Sequence, residues 1–350
     1  MRGVADGALS SYSAIFWHPG KPDAGKETAV RGWLKKNWFY VGMGVVLVVG
    51  YYWGAAGRLL SDNKNLLIAG LMFVSGLGLS PQGILLQLRN PRALGLFLLV
   101  SYGLAPLFAY AVASLLFRSE PGLFTGLIIM GSTAVTLSSC IIWTRLAGGN
   151  DGLALVMSIL GNFLQFLVTP TWLSLLLRAS VTIEVRDMMW SLLTVVVLPL
   201  IASQVVVVVL GRRAPAVRPA TNVAGRLLVL SVIWVAVYNA RDELLTKEAL
   251  YSSFAVAVVH LMLLATAWWV LGRFLPSRRD RIALLFCGGQ KTLPSSTYIA
   301  KNFFGNIPGT MLPVLLYHFW QLTIDSLLLE HLPQHEHAPG ETKELVSGDG

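Results

Sequence analysis

Charged residues are scarce in this sequence. They make up 13% of its 350 residues, whereas a soluble domain averages about 25%. Apolar residues reach 55% and the mean hydropathy is +0.63, which is more apolar surface than a soluble fold of this length hides behind so few charges. This excludes secreted enzymes, nucleic-acid-binding proteins and disordered scaffolds, and it predicts an integral, multi-pass membrane protein.

Cysteine is also rare, and acidic residues are outnumbered by basic ones. Cys140 and Cys287 are the two cysteines, and both lie in apolar runs, which excludes a disulfide framework. The net charge is +9. Because the basic residues lie between long apolar runs, the expected partners are membrane lipids and no nucleic acid. The first 37 residues lack the apolar segment of a signal peptide, and their acidic residues argue against a transit peptide.

Long apolar runs are what the sequence has in abundance. A helix needs about 20 predominantly apolar residues to cross a bilayer, and ten stretches qualify, the first and seventh being short. They are 38–53, 66–86, 93–117, 123–143, 153–177, 189–210, 223–238, 250–271, 282–304 and 307–329. We therefore predict an all-α polytopic membrane protein with ten transmembrane helices over residues 38–329. A polar N-terminal tail at 1–37 and a polar, disordered C-terminal tail at 330–350 are expected to flank it.

The distribution of Lys and Arg predicts how these spans are oriented. Counted connection by connection, 18 lie on the side of the N-terminus, 8 lie on the opposite side, and Lys291 lies within a span. Cytoplasmic connections carry the excess of basic residues, so both termini are expected in the cytoplasm. The plasma membrane or a bacterial inner membrane is the expected location.

The ten spans divide into two similar halves. An offset of 156 residues carries Thr136 onto Thr292 and Gln165 onto Gln321 without a gap. Coincidence between apolar segments is the alternative, but polar residues that match at one offset favour a repeat. Because five spans is an odd number, the second copy enters the membrane from the opposite side. Secondary transporters with such inverted repeats bind substrate where broken helices of the two halves meet. The predicted repeats cover roughly 38–177 and 189–329.

Each half contains an interrupted span. Residues 131–139 of the fourth span read Gly-Ser-Thr-Ala-Val-Thr-Leu-Ser-Ser, and residues 288–296 of the ninth read Gly-Gly-Gln-Lys-Thr-Leu-Pro-Ser-Ser. Broken backbone at membrane depth persists only inside protein or around a watery cavity. Its freed amides attract anions and its freed carbonyls attract cations. A small-residue packing face is the alternative for the fourth span, but packing does not explain Gln290-Lys291 in the ninth.

Two motifs in the ninth and tenth spans are the most specific in the sequence, namely Phe286-Cys287-Gly288-Gly289-Gln290-Lys291-Thr292-Leu293 and Tyr317-His318-Phe319-Trp320-Gln321. Weaker matches are Gly76-Leu77, Ser138-Ser139, Gly148-Gly149-Asn150 and Thr169-Pro170. Together they resemble the bile acid:sodium symporter family, and within it the branch of the seventh member of that solute-carrier family with its bacterial and fungal relatives. The resemblance covers residues 38–329.

The resemblance implies a panel domain and a core domain, alternating access, and discontinuous fourth and ninth helices that cross. It also implies oxygen-lined sodium sites. Position by position, Ser139, Ser158 and Gln290 match ion ligands of the family, and Thr136 is a further candidate beside them. For the fungal and animal relatives of this branch, the resemblance implies an association with cellular calcium homeostasis.

Two departures from the family pattern argue against sodium coupling. Sodium-coupled members carry an acidic residue four positions before the Gln, where this sequence has Phe286, and a neutral polar residue after it, where this sequence has Lys291. A buried ion usually needs a carboxylate to offset its charge, and a nearby lysine repels it. We therefore predict that Lys291 takes the electrostatic place of the sodium ion, and we expect no cofactor and no metal. The competing interpretation is that Thr136, Ser139, Ser158 and Gln290 bind sodium through neutral oxygens.

Lys291 is the leading candidate for a functional residue. A charge at membrane depth costs about 2.5–3.5 kcal/mol on insertion scales, so it marks a site unless the side chain reaches an interface, which is the alternative. The pairs Asn162/Gln165 and His318/Gln321 each lie on one helix face, where they either line a cavity or hydrogen-bond neighbouring helices. The predicted substrate-binding residues are Ser138, Asn162, Gln290, Lys291, Thr292, His318 and Gln321.

Two single polar residues complete the candidates. His260 of the eighth span is expected to be a hydrogen-bonded packing residue rather than a ligand. Asp325 lies near the end of the tenth span and is expected at the membrane interface. The carboxylate that would offset a bound cation is therefore missing from the predicted site.

Two functions remain open for this fold. One is a secondary transporter that moves a small organic anion, with Lys291 and the N-termini of the half-helices supplying positive charge. The other is a membrane regulator of calcium homeostasis or calcium entry that acts through a partner. The polar interruption of the ninth span favours transport, because an adaptor does not need Gln290-Lys291 at the membrane midplane. No enzyme is expected, since the spans contain no HExxH, GxSxG or paired catalytic carboxylates.

Overall fold

The computed structural model describes residues 29–78, 90–177 and 184–332, and helices are the regular elements of these ranges. Their bounds are α1 Ala29–Tyr52, α2 Gly54–Asp62, α3 Lys64–Leu77, α4 Pro91–Leu116, α5 Pro121–Ser132, α6 Ser139–Leu146, α7 Asp151–Leu177, α8 Val185–Leu210, α9 Ala214–Ala240, α10 Lys247–Phe274, α11 Arg278–Gly289, α12 Leu293–Phe303 and α13 Met311–His331.

Six of these helices are long and apolar enough to cross a membrane as single elements. They are α4, α7, α8, the Pro219–Ala240 part of α9, α10 and α13. The Val41–Tyr52 part of α1 passes the same test together with α2, with a bend of 101° between them. A bilayer core of about 30 Å is crossed by about 20 helical residues, so the chain is an integral, multi-pass membrane protein.

The helix boundaries refine several of the predicted spans. Helix α1 begins at Ala29 and so extends into the stretch interpreted as a tail. Helix α13 begins at Met311 and ends at His331, later at both ends than predicted. The fourth and ninth predicted spans each consist of two helices separated by a non-helical segment. Residues 79–86 of the predicted span 66–86 and most of both predicted tails lie outside the described residues.

Polar residues cluster at one end of the helix bundle, around Asp280. Its carboxylate accepts hydrogen bonds from the Asn90 and Asn150 side-chain amides, at 3.0 and 2.8 Å. Both asparagines precede helices: Asn90 accepts the Ala93 N–H ahead of α4, and Asn150 accepts the Leu153 N–H at the start of α7. Such capping satisfies helix amides that lack a partner. The starts of α4, α7 and α11 therefore meet at what we name the Asp280 end.

A second set of connections meets at the opposite end, which we name the Glu243 end. The Glu243 carboxylate accepts the Gly309 N–H at 3.2 Å, between the α9–α10 connection and the start of α13. The start of α5 reaches the same place, because Gly122 lies against the Pro308 carbonyl. Helices α4, α7 and α11 start at the Asp280 end, whereas α5, α10 and α13 start at the Glu243 end.

Helix α4 widens at Leu99–Leu104 into a stretch of π-helix. There the Ala105 N–H bonds to the Val100 carbonyl, and the next residue, Pro106, has no N–H to donate. Neither donor is therefore available to the Ser101 carbonyl, which is free to bind a partner outside the helix. Such π-helical turns are frequent at functional sites.

Candidate functional site

The chain between α5 and α6 leaves the helical conformation at residues 133–138. The polar face of α7 binds the backbone that is freed there. Gln165 Oε1 accepts the Ala134 N–H at 2.9 Å, and Asn162 Nδ2 donates to the Val135 carbonyl at 2.8 Å. Side chains thus replace two of the missing helix hydrogen bonds, which helps an irregular segment to persist inside a membrane protein.

The second interruption, at residues 290–292, separates α11 from α12. Pro294 contributes to the break, because it has no N–H to donate to the Gln290 carbonyl four residues earlier. The polar face of α13 binds the freed backbone. Gln321 Oε1 accepts the Lys291 N–H at 2.7 Å, and Gln321 Nε2 donates to the Lys291 carbonyl at 3.0 Å.

The two interruptions contact each other. The Thr292 N–H donates to the Ala134 carbonyl at 2.9 Å, and the Thr133 and Ser296 hydroxyls are 2.8 Å apart. The C-termini of α5 and α11 and the N-termini of α6 and α12 therefore meet inside the protein. Helix N-termini carry partial positive charge and C-termini partial negative charge, so this junction presents both signs.

The side chain of Lys291 crosses this junction and is completely buried. Its Nζ donates to the Ser101 carbonyl at 2.7 Å and to the Thr133 carbonyl at 3.0 Å, with the Ser101 hydroxyl at 3.3 Å. The Tyr102 ring lies 5.8 Å from Nζ. The Ser101 carbonyl is the one freed by the π-helical stretch of α4, and the Thr133 carbonyl follows the C-terminus of α5. Three neutral oxygens thus surround the ammonium group, as oxygens surround a hard cation.

Three of the four predicted ion ligands form one hydrogen-bonded cluster. Gln290 Oε1 accepts the Thr136 and Ser139 hydroxyls, both at 2.7 Å. Ser158 does not join this cluster through its hydroxyl, which donates to the Leu155 carbonyl of its own helix at 2.9 Å. The cluster extends from the fully buried Gln290 to the half-buried Ser139. It therefore reaches a partly exposed position.

The expectation that Asp325 lies at the membrane interface is wrong. Asp325 is fully buried, and its carboxylate contacts the candidate site on both sides. Oδ2 accepts the amide of Gln290 at 2.6 Å, and Oδ1 lies 3.0 Å from His260 Nε2. The conclusion that the site lacks a carboxylate is therefore wrong as well. The carboxylate comes from α13 and not from the ninth predicted span, where Phe286 occupies the position of the acidic residue.

Helical periodicity is the signal that would have identified Asp325. His318, Gln321 and Asp325 are spaced i, i+3 and i+7, so they share one face of α13. The predicted span also ended at residue 329 rather than at His331, which placed Asp325 nearer to the end of the helix than it is. Phe286 itself is buried in an apolar cluster, where its ring stacks on Trp143 at 6.5 Å between centroids.

The remaining predicted residues occupy different environments. Thr292 is buried, and its carbonyl accepts the Ser296 hydroxyl at 2.6 Å. The buried His318 contacts the interruption indirectly, since its Nδ1 lies 3.0 Å from Gln321 Nε2. Ser138 is exposed immediately before α6. The structure thus brings Asn162, Gln290, Lys291, Thr292 and Gln321 to the junction, with Ser138 at its surface.

Several buried polar atoms around the junction lack a hydrogen-bond partner among the described residues. Buried polar groups are almost always paired, so these atoms are available to a ligand or to water. On the α5–α7 side they are Ser132 Oγ, Asn162 Oδ1 and Gln165 Nε2, and in the first turns of α12 they are Ser295 Oγ and Thr297 Oγ1.

Several known proteins are similar in sequence to this chain over most of its length. A profile of the SBF-like CPA transporter family matches residues 37–334. Sodium/bile acid cotransporter 7 of Danio rerio is 27% identical over 316 residues, which covers 85% of this chain and 93% of that protein. The probable sodium/metabolite cotransporter BASS4 of Arabidopsis thaliana, a chloroplastic protein, is 30% identical over 280 residues, covering 74% of this chain and 64% of that protein. Uncharacterized protein YbaS of Bacillus subtilis is 27% identical over 241 residues, 68% of this chain and 78% of that protein.

Proposed function

We propose, from the premise that this chain belongs to the SBF-like CPA transporter family, that it moves a small organic anion by alternating access. Its family is one of membrane transporters rather than enzymes. The observation that carries the proposal is the buried contact between two interrupted helices, which is bridged by the ammonium group of Lys291. Transporters commonly bind substrate where discontinuous helices meet.

Ten crossings in two inverted repeats are part of this proposal. Six single spans, the α1–α2 pair, α3 and the two interrupted pairs α5–α6 and α11–α12 together amount to ten crossings. Contacts at the two ends of the bundle support the alternation. Helix α5 starts at the Glu243 end, whereas Asn150, after α6, lies at the Asp280 end. Helix α11 starts at the Asp280 end, and Gly309, after α12, lies at the Glu243 end.

Hydrogen bonds of the same kind in the two halves also support the repeat. Gln165 and Gln321 are 156 positions apart, and each accepts a backbone N–H of the interruption in its own half. Val135 and Lys291 are separated by the same offset, and each carbonyl accepts a hydrogen bond from a side-chain amide of the helix after the interrupted pair, α7 or α13. The partners of these groups match only approximately, because the two N–H groups belong to Ala134 and Lys291 and the two amide donors to Asn162 and Gln321.

Lys291 is proposed to act as a tethered cation at the place a sodium ion takes in sodium-coupled relatives. Its ammonium group already holds carbonyls of α4 and of the α5–α6 interruption together. A second cation among the same oxygens would meet strong repulsion in a poorly screened interior. Transport is therefore expected to be independent of sodium, although Thr136, Ser139 and Gln290 form an oxygen cluster beside Lys291.

An anionic substrate fits the groups that the junction presents. The unpaired donors include Gln165 Nε2 and the hydroxyls of Ser295 and Thr297. The N-termini of α6 and α12 add partial positive charge at the same place. We assign substrate contact to residues at or beside the junction, namely Ser138, Asn162, Gln290, Lys291, Thr292, His318 and Gln321.

Uptake by proteoliposomes tests this proposal. Purified protein would first be screened for thermal stabilisation by a panel of small carboxylates, sulfonates and phosphates, because a ligand of the folded state raises its stability. Stabilising anions would then be tested for uptake with sodium and with choline as the external cation. Saturable uptake that is equal in both cations is expected.

Two variants make the assay specific. Lys291→Met should abolish uptake, whereas Lys301→Met removes a lysine near the end of the following helix and should retain uptake. Uptake that collapses without sodium would disprove the tethered-cation role of Lys291. If no stabilising anion enters in either condition, the transport proposal fails and a regulator of calcium homeostasis becomes the better explanation.

A further inference from the structure

We propose that Tyr298 of α12 is a gate residue, which closes the path from the Glu243 end to the junction. The proposal rests on the transport function above and assigns the side on which the site is closed in this structure. Helices α1–α3, α8 and α9 pack mainly on one another, as do α4–α7 and α10–α13. We refer to the first group as the panel and to the second as the core. The gate is a contact between these two groups.

Two hydrogen bonds join α12 of the core to panel helices. Tyr298 is buried, and its hydroxyl is hydrogen-bonded to the Ser191 hydroxyl of α8. The Tyr298 ring also packs edge-on against Phe303 of its own helix, with 6.4 Å between the ring centroids. One turn closer to the Glu243 end, Asn302 Nδ2 donates to Asn65 Oδ1 of α3 at 3.2 Å.

This contact lies between the Glu243 end and the junction. Helix α12 starts at the junction, and Phe304, directly after its last residue, lines a small cavity together with Glu243. Tyr298 follows Ser295 by three residues, so the two side chains lie on one face of the helix. The unpaired hydroxyl of Ser295 is one of the donors that the proposed function offers to an anion. A substrate that moves along α12 from the Glu243 end therefore passes Tyr298 before it reaches this donor.

The corresponding half-helix of the other repeat, α6, has a different environment. The offset of 156 residues relates Ile142 of α6 to Tyr298. Cys140 and Thr144 are the buried residues of α6, and its other side chains are half-buried. By contrast, every residue of α12 from 295 to 300 is buried, and panel helices α3 and α9 pack on it. Unequal burial of related half-helices indicates one of the two conformations of an alternating-access transporter, the one in which the panel covers α12.

The junction is open on the opposite side, toward the Asp280 end. Ser138 ends the irregular segment before α6, and its side chain is exposed. Irregular backbone at membrane depth lies against protein or water rather than lipid, so Ser138 marks a watery cavity. Helix α6 runs from this position toward Asn150 at the Asp280 end. In the other conformation, α12 separates from α3 and α8, and the panel covers α6 instead.

Thiol labelling of membrane vesicles tests the gate without any substrate. In a Cys140→Ala/Cys287→Ala background, Ser295→Cys reports access to the junction from the Glu243 end, and Ser138→Cys reports access from the Asp280 end. An impermeant maleimide would be added to right-side-out and to inverted vesicles. Leu245→Cys, which is exposed at the Glu243 end, identifies the preparation in which that end faces the reagent.

Tyr298→Ala should raise the labelling rate of Ser295→Cys from the Glu243 end several-fold and lower that of Ser138→Cys from the Asp280 end. Opposite changes are expected because opening one side shifts the population away from the state that is open on the other. Tyr298→Phe removes only the hydroxyl and should give smaller changes in the same directions, so it serves even if Tyr298→Ala fails to fold. Tyr251→Ala, which alters an exposed tyrosine of α10, should change neither rate. Rates that ignore both Tyr298 substitutions, or that rise at both positions, would overturn the gate.

Cross-linking tests the gate by holding it closed. In the same background, Asn65→Cys/Asn302→Cys would be joined by a short bifunctional methanethiosulfonate, which a reductant removes. The cross-link should hold α12 against α3 and stop uptake of an identified anion, and reduction should restore uptake. Treatment of the two single variants should leave uptake unchanged. Uptake that persists in fully cross-linked protein would overturn the gate.

The outcomes for the two proposals differ. Failure of anion uptake rejects the transport function, whereas the labelling rates decide the gate without any substrate. Uptake of an identified anion together with labelling rates that ignore the Tyr298 substitutions would reject the gate and leave transport intact.

Discussion

At the scale of single residues, the site depends on buried charges that are satisfied by neutral groups. Lys291 contacts two carbonyls and a hydroxyl, and Asp325 accepts from an amide and faces an imidazole. Such an arrangement is sensitive to loss of one partner, because a buried polar group left without a hydrogen bond costs about 1–3 kcal/mol.

Lys291→Ala is expected to lower the stability of the protein. The variant leaves the Ser101 and Thr133 carbonyls without the Nζ donor, at about 1–3 kcal/mol for each group. If Lys291 replaces a cation, sodium should bind the emptied position and restore stability. Thermal unfolding in detergent, measured in sodium chloride and in choline chloride, should show a sodium-dependent melting temperature for Lys291→Ala and a sodium-independent one for Lys301→Ala. Equal melting temperatures of the two variants in both salts would contradict this expectation.

At the scale of elements, the interrupted helices depend on the polar faces of the helices that follow them. Gln321 binds both backbone groups of Lys291, and Asn162 and Gln165 bind the interruption after α5. These side chains take the place of helix hydrogen bonds, so each interruption is stabilised by an element other than its own.

Gln321→Leu should destabilise the α11–α12 interruption while keeping a side chain of similar size. Two hydrogen bonds to Lys291 are lost, and the backbone there should open more readily. Hydrogen exchange measured by mass spectrometry should increase for peptides that contain residues 290–292. Thr323→Val alters an exposed hydroxyl of the same helix that bonds only to its own turn, and it should leave exchange unchanged; faster exchange in this control would point to a general effect on α13.

Close packing of α5 against the start of α13 gives a second prediction at this scale. A methyl group at Gly122 would lie 1.8 Å from the Pro308 carbonyl oxygen, which belongs to the backbone, so the helix must shift. Gly122→Ala should lower stability by about 1–3 kcal/mol. A methyl group at Gly95 meets nothing within 4 Å, so Gly95→Ala should melt at or above the wild-type temperature. Similar melting temperatures for the two variants would refute this packing.

At the scale of the whole molecule, the connections gather at two polar ends. Asn90, Asn150 and Asp280 mark one end, and Glu243 and Gly309 mark the other. Since the Asp280 end carries Arg278, Arg279 and Arg281, the excess of basic residues favours a cytoplasmic location for it.

Labelling with an impermeant thiol reagent tests this orientation in intact cells. In the Cys140→Ala/Cys287→Ala background, Asn63→Cys and Leu245→Cys should react from outside. Ser277→Cys, at the Asp280 end, should react only after the membrane is permeabilised. The reverse pattern would place both termini outside, and labelling of all three positions from one side would rule out ten crossings.

Much of this protein is determined by local features of its sequence. The scarcity of charge and the ten apolar runs indicate a multi-pass membrane protein, because hydropathy acts on each segment separately. The two interruptions are also local, since Pro294 and the runs of Gly, Ser and Thr weaken a helix wherever it packs. Gln290 and Lys291 stood out for the same reason, as polar residues inside an apolar run.

Only the tertiary structure decided which groups these residues meet. Asp325 reaches Gln290 across 35 positions of sequence and His260 across 65, and Lys291 reaches Ser101 across 190. Hydropathy assigned Asp325 to an interface, whereas the packing of α10, α11 and α13 buries it with two partners. The physical reason is that a charge enters a membrane interior only when distant helices present matching donors and acceptors, and those partners come from the assembly of the whole bundle.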